Sequence, residues 1–482
     1  MNYPIVYIRR FLKCLYLSIW KMSDTESSQF ETKTKFLSWI ILFFAAINVI
    51  FLGGKRRAFG IFVAEFHHGE FRNISLAELN WIGDSYAALG YLTTTISTTL
   101  ILNCDRRFKL FQFIGACFVL LACITSAMVT NAHWLFLTHT VFHGIGSSLI
   151  LSTIGLVVNE HFGKTHKYHL LATTLVSGGS IASIVFVQFY AFLIEHFGWR
   201  TAFIILGVIY FIINCSGSCI FQRNMDISTS YKPNRCSLNW DEHITKKHFP
   251  LLIFWTLDRI ITTIVTYGML LNLADYLRRS EHTLTSSTSL TVLFASGEAS
   301  TYLIGAVITA VTKDFFKNRL KYILLVCTGF MSFSLIVWEF FVLNKSLTHF
   351  LAFSSGFFLG PSITFLFPAG EEMTLLPGHL AYPFSLGGMG IGMLLSPTLS
   401  AVIASAFEYR GFFLIQGCLI LLKFFCLLCL CILSKSIYES LKVEYRRLPD
   451  TEKDDYEDFS IETIKTANGL LAKEESVKIR VS

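Results

Sequence analysis

Twelve apolar stretches, each long enough to cross a bilayer, follow one another between residues 36 and 434. A spanning helix needs about 20 mostly apolar residues. The candidates lie near 36–64, 79–103, 108–130, 133–158, 168–195 and 199–222. A second set lies near 249–274, 284–312, 319–344, 347–371, 379–406 and 410–434. In lipid a backbone must satisfy its own polar groups, so such runs become helices. The pattern predicts an all-α membrane protein whose twelve transmembrane helices form two six-helix bundles. Composition agrees, since 53% of residues are apolar and only 15% charged, against about a quarter charged in soluble domains.

The net charge of +7 does not indicate nucleic acid, because the basic residues form no stripe interleaved with aromatics. They sit in short loops, where lysine and arginine set orientation. Arg9, Arg10, Lys13, Lys21, Lys33 and Lys35 precede the first span. DRRFK (105–109) follows the second span and KDFFKNRLK (313–321) the eighth, and alternate loops are poor in both residues. Both termini and the central loop are therefore expected in the cytoplasm. The sequons at Asn73 and Asn344 fall in loops on the other side, which predicts a glycoprotein of the plasma membrane. The division expected is a cytoplasmic segment at 1–35, a bundle at 36–222, a cytoplasmic loop at 223–248, a bundle at 249–434 and a disordered tail at 435–482.

The halves repeat. HFGWRTAFIILG (196–207) and AFEYRGFFLIQG (406–417) match at an offset of 210, and the same offset places Arg107 and Lys109 on Lys317 and Arg319. Parallel six-helix repeats with a substrate site between them are a transporter organisation. Most cysteines, including Cys426, Cys429 and Cys431, lie inside apolar runs and read as small hydrophobes. No metal, cofactor or nucleophile–base pair is expected, so an enzyme is disfavoured. A solute sensor with a carrier fold is the alternative to a transporter.

Several segments are specific in wording. They are RRAFGIFVAEF (56–66) with ELNWI (78–82), HFGKTHKYHLLATTLVSGGSIAS (161–183), FGWRTAFIILG (197–207), LLNLADY (270–276) and LLPGHLAYPFSLGGMGIGMLLSP (375–397). Over residues 36–434 the chain resembles the monocarboxylate transporter family of the major facilitator superfamily. The resemblance implies alternating-access movement of a small organic carboxylate, secondary active or facilitative, with a proton and a single-span ancillary subunit as partners to be tested. It also implies a substrate-facing cation at Arg57. The chain departs from the family at Lys164, which is followed by Thr165 and His166 where a basic trio is usual. Glu298 and Tyr302 stand where many members carry Asp and Arg, which extends the expected substrates to amino-acid-like carboxylates.

A charge at mid-span costs about 2.5–3.5 kcal/mol on insertion scales, so each one needs a reason. Arg57 can grip a carboxylate through two hydrogen bonds, or serve with Lys55 and Arg56 as an interfacial anchor. Glu298 suits a proton carrier, a gate partner for Arg57 or a structural ion pair with Arg259. Tyr302, one turn on, offers a hydroxyl. Asp258 and Arg259 are adjacent and are expected to point in different directions, one to a cavity and one across helices. Asp84 reads as a structural acid or a counterion for Arg57. His139 and His143, four apart, share a face and suit a polar cavity wall or a proton relay. SGGS (177–180) and GGMGIG (387–392) suit close helix packing, and the two basic loops suit cytoplasmic charge contacts or orientation alone.

Overall fold

The computed structural model describes residues 26–447, apart from 165, 178–181, 224–247, 280–283, 313–315, 317, 342–343 and 408–410. Residues 1–25, nearly all of the central loop and the tail beyond 447 lie outside the described residues. Residues 26–35 and 435–447, expected as a separate segment and a disordered tail, are helical and continue the first and last passes. The described helices trace twelve passes, with no strand among the described residues. Eight are each long and apolar enough to cross a membrane, and the pair Lys345–Thr364 and Leu366–Thr374, bent by 61°, makes a ninth. The second pass is divided at Thr93 into Leu76–Leu92 and Thr94–Asn103. The fourth opens with the π-helical turn Phe136–Val141 before Phe142–His161.

Local chemistry sets the ends and bends. The Ser75 side chain accepts from the Glu78 backbone N–H at the start of the second pass, as in Ser-x-x-Glu helix starts. Asn344 accepts from the Leu347 N–H at 3.2 Å at the start of the tenth. Gly198, with φ 72°, makes the turn from the fifth to the sixth pass, a backbone region that costs glycine little. Pro361 lies inside the tenth pass and has no N–H to give the Phe357 carbonyl one turn back. Thr301 of the eighth pass supplies that proton, its hydroxyl donating to the Phe357 oxygen at 2.8 Å.

The repeat read from the sequence is visible in the packing. Gly207 of the sixth pass lies against Cys123 of the third, and Gly417 of the twelfth against Ile336 and Ser332 of the ninth. Both basic loops contain left-handed residues, Asp105 and Arg106 in one and Asn318 in the other. Arg106 pairs with Glu160 at 2.7 Å. In the second half, Glu372 accepts from the backbone N–H groups of Leu320 at 3.2 Å and Lys321 at 3.4 Å. An acid at the end of the neighbouring even-numbered pass is thus engaged in both halves, by the Arg106 side chain in the first and by backbone N–H groups at the start of the ninth pass in the second.

The halves meet on both sides of a central gap. On the face carrying the helix ends Glu26 and Arg447, His169 Nε2 and Glu371 Oε2 are 2.7 Å apart, and Lys164 donates to the Leu376 carbonyl at 3.3 Å. Toward the opposite face, Gly390 of the eleventh pass lies against Ala88 and Leu92 of the second. Trp81 donates to Thr398 there at 3.3 Å. In the same glycine run, Gly388 abuts Arg259 and Thr256, while Gly392 abuts Ile260 and Thr263. The run therefore packs one helix against two others, as its small residues predict; Gly178 and Gly179 of the SGGS run lie outside the described residues.

Candidate functional site

A cavity of about 50 Å³ lies between the halves, room for roughly four waters. Its wall takes residues from the first, second, fourth and fifth passes and from the seventh, tenth and eleventh. Arg56 enters from the first half and Arg259 from the second, and among the described residues no acidic side chain lines the wall. Tyr91, Tyr267 and Tyr382 provide aromatic surface, and Thr262, Thr263 and Thr266 line one helix. Each of these threonine hydroxyls donates to a carbonyl four residues back, at 2.7, 2.9 and 2.7 Å. They therefore offer lone pairs to the cavity, and the guanidinium groups are its charged donors.

Arg56 stacks over the Tyr91 ring, its guanidinium carbon 4.7 Å from the centroid. Its buried Nε has no hydrogen-bond partner. Arg57, the residue singled out by resemblance, has its backbone in the same helix and its side chain outside the described residues. Among the described side chains of the first pass, Arg56 is the cation on the cavity wall.

Arg259 is 1% exposed and held on several sides. It lies on the Trp255 ring at 4.2 Å and donates to the Ser362 carbonyl at 2.6 Å. Its Nε donates to Asp258 Oδ2 at 2.6 Å, and a second nitrogen reaches the same oxygen. Arg259 lines the cavity and Asp258 faces Lys423 across helices, but the two side chains also contact each other, which their expected divergence did not include. Neighbouring Cβ atoms do diverge on a helix, but the long arginine side chain folds back onto the carboxylate. The anticipated Glu298–Arg259 ion pair is not formed, because Arg259 is engaged by Asp258 and Ser362. Lys423 of the twelfth pass completes the group. Fully buried, it donates to Ser362 Oγ at 2.8 Å and stands 3.8 Å from Asp258 Oδ1.

The other residues expected at the site stand back from the cavity wall. Glu298 is fully buried where the eighth and tenth passes cross. Beside it, a Cβ on Gly297 would overlap the Phe353 carbonyl oxygen, and one on Gly356 would overlap that of Phe294. Tyr302 donates its hydroxyl to the Leu175 carbonyl at 3.1 Å, bridging the halves. Asp84 is buried, with Oδ2 unpartnered. Asn73 and Asn344 are exposed.

His139 and His143 do share a face, but it turns into the first bundle, not onto the cavity. His139 stacks on Phe59 at 4.7 Å and meets Tyr86 at 4.6 Å, and Tyr86 lies 4.7 Å from His143. The Ser147 hydroxyl and His143 Nδ1 are 2.9 Å apart. Lys55 joins this cluster, 1% exposed, between the rings of Tyr86 and Tyr210 at 5.6 and 5.7 Å. Its ammonium donates to Cys123 Sγ at 3.6 Å. Among the described residues no three His, Cys, Asp or Glu side chains converge on a metal position.

Sequence reasoning passed over Lys423 and the His169–Glu371 pair. A signal for the first existed: Lys423 is a lone cation inside the apolar run QGCLILLKFFC, and charges there are rare without a role. The inter-half pair left none, since its members lie 202 residues apart.

Twelve passes in two matched bundles around a charged central cavity define a membrane carrier. The chain belongs to the Major Facilitator Superfamily, whose family profile matches residues 36–374. It is similar to mouse monocarboxylate transporter 4, 26% identical over 180 residues, which is 37% of this chain and 36% of the relative. Chicken monocarboxylate transporter 3 is 24% identical over 218 residues, 44% of this chain and 37% of the relative. The MFS-type transporter opdF of Penicillium oxalicum is 23% identical over 250 residues, covering 48% and 55%. The chain thus spans little more than a third of the monocarboxylate transporters and about half of opdF. In fold it resembles the proton:xylose symporter XylE bound to 6-bromo-6-deoxy-D-glucose, with a TM-score of 0.53 and 14% identity over 82% of this chain and 95% of that one.

Proposed function

We propose that this transporter moves a small organic carboxylate across the plasma membrane by alternating access. The observation that carries the reading is the pair Arg56 and Arg259, one from each half, on a cavity with no acidic lining among the described residues. A carboxylate between them meets charged, bidentate donors away from competing water. The partial similarity to monocarboxylate transporters supports the same substrate class. Opening of the His169–Glu371 contact on one face, or of the Trp81–Thr398 side on the other, exposes the cavity alternately. In this reading the termini are cytoplasmic, and exposed Asn73 and Asn344 carry glycans outside. Glu298, buried in the second bundle, is the coupling group for an accompanying proton; Asp84, His139 and His143 are the first bundle's candidates for the same role.

Uptake of labelled carboxylates by reconstituted protein tests the proposal. Arg56→Gln should abolish uptake while the protein still reaches the membrane. Full activity in Arg56→Gln, with loss in Arg57→Gln, would return the substrate role to Arg57. Full activity in both would refute the anion site in the first helix.

A further inference from the structure

We infer that the His169–Glu371 contact is a proton-binding site, and that the bound proton holds the two halves together on the face of the helix ends. The site belongs to the gate and not to the cargo, so it holds whichever solute is carried. Hydrogen-bond direction points to it. His169 Nδ1 lies 2.7 Å from the Phe162 carbonyl oxygen at the end of the fourth pass. On its other side, Nε2 lies 2.7 Å from Glu371 Oε2 in the second half. A carbonyl oxygen only accepts, and so does a carboxylate oxygen. Both separations are hydrogen-bond distances, so a hydrogen stands on each side of the ring. A neutral imidazole has a single N–H. The contact therefore contains one proton more than a neutral histidine and a carboxylate bring to it. Placing that proton on Glu371 instead of the ring changes its address and leaves the count the same.

Water is not there to take the proton's place, because His169 and Glu371 are both buried. Glu371 Oε1 has no hydrogen-bond partner and lies against Gly378, where a Cβ would overlap it. The carboxylate is thus engaged through the proton on its Oε2 side. Neighbouring groups have contacts of their own. Lys164 donates to the Leu376 carbonyl at 3.3 Å, and His166 Nδ1 accepts the Tyr168 backbone N–H at 3.1 Å. His161 meets Ser38 and the Gln222 carbonyl. Of the two nearby acids, Glu160 pairs with Arg106 and Glu372 accepts from the start of the ninth pass. Among the described residues, Lys164 and His379 are the other cationic or titratable side chains within electrostatic reach of Glu371.

Without the extra proton, two lone pairs confront each other in a buried contact, which costs the pairing. When the halves part on this face, the ring meets water, and a histidine in water holds its second proton only below about pH 6.5. Above that pH, opening releases a proton and closing takes one up. Acid therefore favours the closed face and base the open one. One proton allows the opening equilibrium to change by up to about tenfold per pH unit. In the proposed orientation this face is cytoplasmic, so acid accumulating there closes the carrier to that side.

The experiment uses the full chain with a Ser177→Cys reporter in proteoliposomes. Ser177 lines the cavity about two turns beyond His169. An impermeant maleimide is applied on the face of the helix ends, and modification at position 177 is read by mass spectrometry from pH 6.5 to 8.5. Each rate is divided by that of the same reporter in His169→Gln, and separately in Glu371→Gln, which cancels the ionisation of the thiol. Neither reference needs the extra proton: glutamine at 169 does not titrate, and a carboxamide at 371 donates its own N–H to Nε2. Against both references the ratio should rise at least about fivefold over this range. A smaller rise against either one would overturn the proton site. His379→Gln should keep the rise, and its loss there would move the titrating group to His379 and overturn the assignment to His169 and Glu371.

Discussion

Asp258→Asn should be among the most destabilising single substitutions in this chain. The carboxylate is fully buried and faces two buried cations. Arg259 holds it with Nε at 2.6 Å, and Lys423 stands 3.8 Å away. At that separation the Lys423 attraction alone amounts to about 4 kcal/mol with an effective dielectric of 20. Desolvation opposes this gain, so the intact group contributes far less net stability than the sum of its attractions. Removing one partner is different, because the remaining charges stay buried and unpaired, at a cost of about 3–5 kcal/mol. Here two cations lose their shared anion, which places the change toward the upper end. The unfolding equilibrium should move by roughly two to three and a half orders of magnitude. Unfolding by SDS titration in mixed micelles measures it directly. Asp258→Asn combined with Lys423→Met should recover part of the loss, since one stranded charge leaves with the lysine. Wild-type stability in the single variant would refute the reading of these residues as one electrostatic unit.

Two further substitutions separate the gate from the coupling group. Glu371→Gln removes the ionised acceptor of the His169 contact, and hydrogen bonds to charged groups contribute about 1.5–3 kcal/mol. The population should shift roughly ten- to a hundredfold toward opening on the face of the helix ends. Faster alkylation of a Ser177→Cys reporter from that face would show it, and an unchanged rate would contradict the gate. Glu298→Gln should flatten the pH dependence of uptake, because a carboxamide cannot carry the proton; a pH profile identical to wild type would place coupling elsewhere.

Much of the architecture was legible because the bilayer imposes a length and polarity rule on every pass. The shared offset of 210 residues revealed the repeat, and the packing of Gly207 and Gly417 on matching helices shows the same relation in space. Helix phase was harder to read. The first pass is apolar on most sides, so periodicity did not single out Arg56 as a residue on the cavity. The fourth pass posed the same difficulty, and His139 and His143 turn out to face aromatic rings within one bundle. The Asp258–Arg259 pair was missed for another reason: backbone geometry fixes where a side chain begins, not where a flexible guanidinium ends. Contacts between the halves, such as His169 with Glu371, depend on how the two repeats dock, which no local pattern encodes.

The central claim is that a carboxylate sits between Arg56 and Arg259, and its position can be measured. A bromine-labelled carboxylate bound to the protein in crystals should give one anomalous peak inside the cavity, with both guanidinium groups turned toward the ligand. A peak outside the inter-bundle cavity, in protein that still transports the labelled compound, would contradict the account.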